Sequence, residues 1–253
     1  MRLGRPLIVV KCNPLLYLII SMRGVFVTGT DTGVGKTAVA AGIAWLLRKN
    51  GIDVAAMKPF ATGSKPFSKK FKSEDTAILA EATNAIETDE ELNPVFFRVP
   101  ASPLMAAQIL NKSPPDVHGA LFQLKKLGIK HQFVVVEGIG GLMVPLTERE
   151  FVADFVRLVD LPVVIVTHPR LGTLNHTLLT VRVCREFGLD ILGIVVNMMP
   201  KKPSAVEKNV PRVLQRLAGV PVLAVLPEMK NKPDYKEIGR LLEKTSVAEK
   251  VLA

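Results

Sequence analysis

Glycines followed by a lysine and a threonine form a combination suited to binding phosphate. The chain carries it as Gly29-Thr30-Asp31-Thr32-Gly33-Val34-Gly35-Lys36-Thr37. Glycine lets the backbone turn its N–H groups toward one point, so the amides of Gly33, Val34 and Gly35 can converge on anionic oxygens where a helix begins. Lys36 adds a mobile cation for the β- and γ-phosphates of ATP, and the Thr37 hydroxyl is a hard oxygen ligand for Mg2+. Five residues separate Gly29 from Gly35, one more than the usual spacing. The extra residue falls in Thr30-Asp31-Thr32, which puts further polar groups beside the phosphates.

A magnesium-bound triphosphate supplies most of the metal's oxygens itself, and one or two carboxylates complete the set. Glu137 leaves the apolar run Val134-Val135-Val136 directly. Asp75, with Glu74 as the competing choice, opens a helical stretch where capping or dipole pairing is the alternative role. Lys58 ends another apolar run; it either meets the ligand or is a surface lysine before the turn at Pro59. Gly140 and Gly141 permit close backbone approach to a ligand, in a segment that continues through Val144, Pro145 and Leu146. Asn197 follows Gly193–Val196; its carboxamide matches a donor–acceptor edge of adenine, or merely turns the chain at a strand end. His118, His131, His168 and His176 fit no triad or metal spacing. With no paired nucleophile and base, protease and esterase chemistry are disfavoured.

Positioning these groups requires strands and helices in alternation, and the hydrophobic pattern supplies them. Val25–Thr28, Val54–Met57, Phe133–Val136, Val163–Val166, Ile191–Val196 and Val222–Val225 read as strands. Their continuous apolar character implies burial on both faces, as in a parallel sheet covered by helices. Helices are predicted over Lys36–Lys49, Asp75–Glu81, Leu104–Leu110, Val117–Leu127, Thr173–Phe187 and Ala205–Leu217. The expected fold is α/β: one doubly wound, mostly parallel sheet of the P-loop NTPase type, with helices on both faces. Such a sheet binds ligands beyond the C-terminal ends of its strands, which gathers residues 29–37, 58–64, 75, 137–146 and 197.

A length of 253 residues suits one large α/β domain. A formal charge of +10 fits an anionic ligand. The lysines are scattered and only 6% of residues are aromatic, which offers no stacking platform for nucleic acid. Cys12 and Cys184 stand far apart in unlike surroundings, pointing to neither disulfide framework nor zinc site and to a reducing, cytoplasmic compartment. Residues 1–21 read as an N-terminal extension ahead of a domain over 22–253, with an added edge strand at Leu7–Lys11 as the alternative. The apolar run Leu15–Ile20 is too short for a membrane span, and no cleavage site follows it.

Taken together, the motifs resemble those of the dethiobiotin synthase family. The likeness covers about residues 23–228 and rests first on Val27–Thr37 with its extra residue. Lys58-Pro59 with Thr62-Gly63, Val136-Glu137-Gly138 with Gly140-Gly141, Ala153-Asp154, Leu161-Pro162-Val163 and Leu171–His176 extend it. The resemblance implies an ATP- and Mg2+-dependent carboxylation and ring closure of 7,8-diaminononanoate with CO2 (or hydrogencarbonate) in biotin biosynthesis, by a homodimer. It assigns Lys36 and Lys58 to the transferring phosphate and Thr37, Asp75 and Glu137 to Mg2+. Thr32 and Thr62 fall to the diamine or its carbamate, with Gly141, Val144 and Pro145 beside them near the subunit interface, and Asn197 to adenine. Some members have an acidic residue at Gly33. Two rivals share this ancestry. The ATP-binding half of a corrinoid amide ligase would carry a further glutaminase domain, and a switch ATPase would carry a second lysine within residues 29–35, where none stands.

Overall fold

Unbroken apolar runs become buried strands when both faces are covered, and this is what the chain does with its valines and isoleucines. The computed structural model describes residues 22–229 and 234–253. The expectations for residues 1–21, including Cys12 and the strand at Leu7–Lys11, lie outside the described residues. The first half runs β1 (Gly24–Gly29), α1 (Lys36–Lys49), β2 (Val54–Met57), β3 (Phe60–Thr62), α2 (Glu74–Thr83), α3 (Asp89–Leu92), β4 (Val95–Phe97), α4 (Pro103–Ile109) and α5 (Val117–Lys130). It continues with β5 (Phe133–Glu137), α6 (Val152–Val159), β6 (Val163–Thr167), α7 (Thr173–Glu186), β7 (Ile191–Met199), α8 (Ala205–Ala218), β8 (Val222–Pro227), α9 (Tyr235–Leu242) and α10 (Ser246–Leu252).

Among the described residues, six strands form one sheet in the order β2-β5-β1-β6-β7-β8, and every pairing is parallel. Alternate residues feed two cores. Phe26, Val134, Val136, Val163 and Ile165 pack with Leu124 and Leu127 of α5, Phe155 of α6, Val181 of α7 and Leu214 of α8. Val25, Val27, Val135, Val164 and Val166 face the opposite way, onto Val39, Ile43 and Leu47 of α1, Leu79 of α2, Ile238 of α9 and Val251 of α10. The two-residue period of a strand produces this division, and the sheet is doubly wound as the sequence predicts. No helix among the described residues is long and apolar enough to cross a membrane.

Three features depart from the sequence reading. A second, two-stranded parallel sheet pairs β3 with β4; three-residue strands leave no periodicity to read. Helices α3, α6, α9 and α10 were not anticipated, although α9 and α10 complete the core over α1. Finally, β7 continues beyond Val196, so Asn197 lies within the strand. Pairing with β8 slips between Val196 and Met199, and Met198 takes a positive φ of 59° there. The irregular backbone lets the strand resume at Met199 opposite Pro227.

Candidate active site

The phosphate loop is shaped by its glycines. Gly35 is the N-cap residue of α1 in a left-handed conformation, φ 92°, with no side chain bonded to the helix's free amides. Orphan N–H groups at a helix start, together with the positive end of its dipole, make a seat for an anion. Gly35 has a second reason to lack a side chain: a Cβ there would collide with the amide nitrogen of Asn197.

Lys36 is buried, and its Nζ donates to the carbonyl of Asp31 at 2.8 Å. Burial, reinforced by the nearby Lys58 charge, lowers the Lys36 ammonium to about 8 against the pull of Glu137, Asp75 and Asp31. A desolvated cation at the helix start responds strongly to any phosphate placed there. Asp31 has a further duty, since its Oδ1 accepts from the Thr32 N–H at 2.6 Å. Thr32 itself is exposed.

Beside the loop, Thr37 of α1, Asp75 of α2 and Glu137 of β5 meet Lys58, which follows β2 directly. The Thr37 Oγ1 lies 2.7 Å from Asp75 Oδ1 and 2.9 Å from Glu137 Oε1. Lys58 Nζ bridges the same carboxylates, 2.9 Å from Asp75 Oδ2 and 2.6 Å from Glu137 Oε1, and donates to Gly138 O at 3.1 Å. Of the two adjacent acids, Asp75 is the one aimed at Thr37. Ser73 caps α2, and Glu74 is exposed.

Electrostatics bind this group tightly. Glu137 and Lys58 are 1% and 3% exposed, so their charges depend on each other. Burial, helped by Asp75, pushes the Glu137 carboxyl above its ordinary range despite Lys58 and Thr37. For Asp75, burial acts in the same direction, but Lys58, with help from Thr37 and Lys36, outweighs it and holds the carboxyl low. Burial works against the Lys58 ammonium, yet Glu137 and Asp75 raise it above the usual lysine value.

The donor set also fits a divalent cation. One hydroxyl proton on Thr37 faces two carboxylate oxygens, and Glu137 Oε2 is buried with no hydrogen-bond partner among the described residues. Hard oxygens with more lone pairs than protons are what Mg2+ neutralises.

The other residues singled out in the sequence lie in loops and in the strands β3 and β7. Gly140, at φ 57°, lies under Val144, whose Cγ2 would be 2.6 Å from a Cβ there, and within 4.0 Å of Thr32 Oγ1 on the same measure. A Cβ on Gly141 would come within 3.4 Å of the Gly29 carbonyl, so this loop rests against the phosphate loop. Pro145 bridges to Phe151, and Thr62 closes β3, half-buried. Asn197 Nδ2 donates to the Val34 carbonyl at 3.1 Å, which ties β7 to the phosphate loop.

Some contributors escaped the sequence reading. Asn93 Nδ2 donates to the Lys58 carbonyl at 2.7 Å and fixes the backbone beneath that lysine. Its place before a proline gave no hint of this. The carbonyl of Gly138 was likewise invisible, because a main-chain acceptor has no signature in the sequence.

A glycine loop between β1 and α1, with Lys36 and Thr37 at its end and two acids from neighbouring elements, on the C-terminal edge of a parallel sheet, defines a P-loop nucleotide-binding protein. Solved structures bear out the fold. The cell division ATPase MinD of Pyrococcus furiosus superposes with a TM-score of 0.55 at 21% identity, covering 92% of this chain and 100% of that one. The septum site-determining protein MinD of Pyrococcus horikoshii, solved with Mg-ADP, gives 0.54 at 19%, covering 91% and 93%.

Sequence relatives are more particular. The family described as an AAA domain matches residues 23–232. The ATP-dependent dethiobiotin synthetase BioD of Bacillus licheniformis is 41% identical over 213 residues, 83% of this chain and 88% of the relative. Its counterpart in Nitrosopumilus maritimus is 41% identical over 210 residues, 83% and 91%. The chain belongs to that AAA domain family and, within it, to the ATP-dependent dethiobiotin synthetases, a family of ligase enzymes.

Proposed function

We propose that the chain makes dethiobiotin from 7,8-diaminononanoate, CO2 and ATP, in the cytoplasm, as a step of biotin biosynthesis. Family membership supports the reaction. The observation that carries it to this chain is the group Thr37, Lys58, Asp75 and Glu137, gathered at 2.6–2.9 Å beside the phosphate loop.

The chemistry asks for alignment and charge more than for covalent help. One amine adds to CO2 and loses a proton, giving a carbamate. A carbamate oxygen attacks the γ-phosphorus, and ADP leaves. The second amine attacks the carbamoyl carbon of the resulting anhydride, loses a proton and expels phosphate as the ureido ring closes. The second attack is intramolecular, and well-aligned reactions of that kind reach effective molarities on the order of 10⁵–10⁸ M.

In this reading the amides of Gly33, Val34 and Gly35 and the Lys36 ammonium hold the triphosphate. Lys58 answers charge that develops on the carbamate and γ-phosphate. Thr37, Asp75 and Glu137 would hold Mg2+, which supplies charge neutralisation across the phosphate oxygens. Thr32, Thr62 and the Gly141–Pro145 loop would position the diamine, and Asn197 would meet the adenine edge. A homodimer is supported by exposed apolar side chains in the loops after β5 and β6 and on α7. Leu171 is fully exposed, with Leu179 and Met143 about half exposed.

Incubating the protein with ATP, Mg2+, hydrogencarbonate and 7,8-diaminononanoate tests the proposal. Dethiobiotin should appear by mass spectrometry in step with ADP. ATP consumption without dethiobiotin, or no turnover by folded protein, would refute it.

A further inference from the structure

Thr30 lies in the polar segment that the sequence reading set beside the phosphates, yet its hydroxyl engages β6 instead. Thr30 Oγ1 donates to Thr167 Oγ1 at 3.1 Å, and the Thr30 N–H donates to the Val166 carbonyl at 3.0 Å. Side chain and backbone of one loop residue are thus both fastened to the end of β6.

Thr167 serves more than Thr30. It is fully buried, and Thr177 Oγ1 of α7 also donates to its hydroxyl, at 3.0 Å. Thr173 Oγ1, in the first turn of α7, lies 2.8 Å away. A hydroxyl has one proton and two lone pairs. With both lone pairs taken by Thr30 and Thr177, the Thr167 proton goes to Thr173. All three hydrogen-bonding capacities of one buried hydroxyl are then used, and the donor directions are set.

We infer that Thr167 is a positioning residue for the phosphate loop, acting through Thr30. The inference rests on the nucleotide-binding reading of that loop. Asp31, next to Thr30, offers the carbonyl that receives Lys36 Nζ, so the placement of Thr30 governs where the lysine and the amides after it stand. Thr167 touches no nucleotide in this scheme. It holds the N-terminal half of the loop while Asn197, through Val34, holds the other half.

The test is a double-mutant cycle on affinity for a non-hydrolysable ATP analogue, measured by titration calorimetry alongside thermal melts. Thr167→Val keeps the shape and removes the hub. It should weaken binding about fivefold, the scale of one hydrogen bond, and Thr30→Val should do the same. The double variant should be no weaker than either single one, because both delete one contact. Thr167→Ser should restore affinity. Thr177→Val, which disturbs the same hub on the side away from the loop, should lower the melting temperature and leave affinity within twofold.

Additive losses in the double variant, or unchanged affinity in Thr167→Val beside a wild type that binds, would overturn the positioning role. Failure of the wild-type chain to bind would instead overturn the nucleotide reading beneath it. Should Thr167→Val fail to fold, Thr30→Val decides: full affinity in that variant refutes the inference.

Discussion

Lys58 shows what a single side chain can be asked to do. Its ammonium bridges two carboxylates, one of them almost fully buried. Lys58→Met keeps the length of the side chain and removes the charge, leaving Glu137 buried without its cation. Stability should fall by about 3–5 kcal/mol, the usual result of breaking a buried pair, as read from urea unfolding. If Lys58 meets charge that appears only during reaction, kcat should fall about 10²-fold or more, with ATP affinity held within about tenfold. Equal loss of affinity and turnover would make it an ordinary ground-state contact. Glu137→Gln isolates the proposed metal-binding role of the same group. An amide is a poorer ligand for a hard cation, so half-maximal activity should need about tenfold more Mg2+. Unchanged Mg2+ dependence would remove Glu137 from the metal site.

Between elements, α9 packs closely on α1, the helix that carries Lys36 and Thr37. Gly42 and Gly239 face each other across it. A Cβ on Gly42 would come to 2.5 Å from Ile238 Cγ2; one on Gly239 would clash with the Trp45 ring and stand 3.0 Å from the Gly42 carbonyl. Gly239→Ala therefore sets two effects in opposition. Helix propensity favours alanine by about 1 kcal/mol, while overpacking against a ring and a backbone carbonyl costs about 1–3 kcal/mol. The obstacle is backbone as well as side chain, so the expected outcome is a net loss, visible as a lower melting temperature. A stabilised Gly239→Ala would show that α9 shifts freely on α1.

Across the whole molecule, the sheet separates the end proposed to react from a structural one. At the N-terminal ends of the strands, His131 Nδ1 lies 2.9 Å from Asp53 and Nε2 lies 3.0 Å from the buried Glu87. Both ring nitrogens face carboxylates, so both must donate, which requires the imidazolium. Burial opposes that charge, but Asp53 and Glu87 prevail and the histidine titrates above its ordinary value. The folded chain then holds this proton more tightly than the unfolded one. Its stabilisation is complete below the unfolded imidazole value, roughly 6.5, and is lost as pH rises through the higher folded value. At pH 5.5, His131→Ala should cost about 1–3 kcal/mol by leaving the buried Glu87 without its partner. The difference should shrink at pH 8.5, with turnover unaffected at either pH. A pH-independent difference would mean a neutral ring. At the opposite end, Leu171 offers a full apolar side chain to solvent. Leu171→Asp should turn the proposed dimer into a monomer in light scattering; an unchanged mass would exclude that loop from the interface.

The sequence alone settled what depends on near neighbours. Helix α1 runs from Lys36 to Lys49 and β2 from Val54 to Met57, as the hydrophobic pattern predicts, because the glycine loop, the apolar periods and the stop at Asn50-Gly51 all act within a few residues. The parallel sheet was legible for the same reason: a strand without polar alternation must be covered on both faces. Short or weakly signalled elements were not legible. The N-cap residue of α6 is Phe151, which announces no helix, and β3 and β4 are too short to show a period. Only the tertiary structure decided the pairings. Asp75 rather than Glu74 meets Thr37 because of the way α2 turns after its Ser73 cap. Lys58 sits between two acids, Asn197 grips Val34, and Thr30 turns to Thr167, a partner 137 residues away. Residue types and spacings can nominate such groups. Which of them touch is determined by how the sheet and its helices pack, and the packing energy is shared among contacts that lie far apart in the chain.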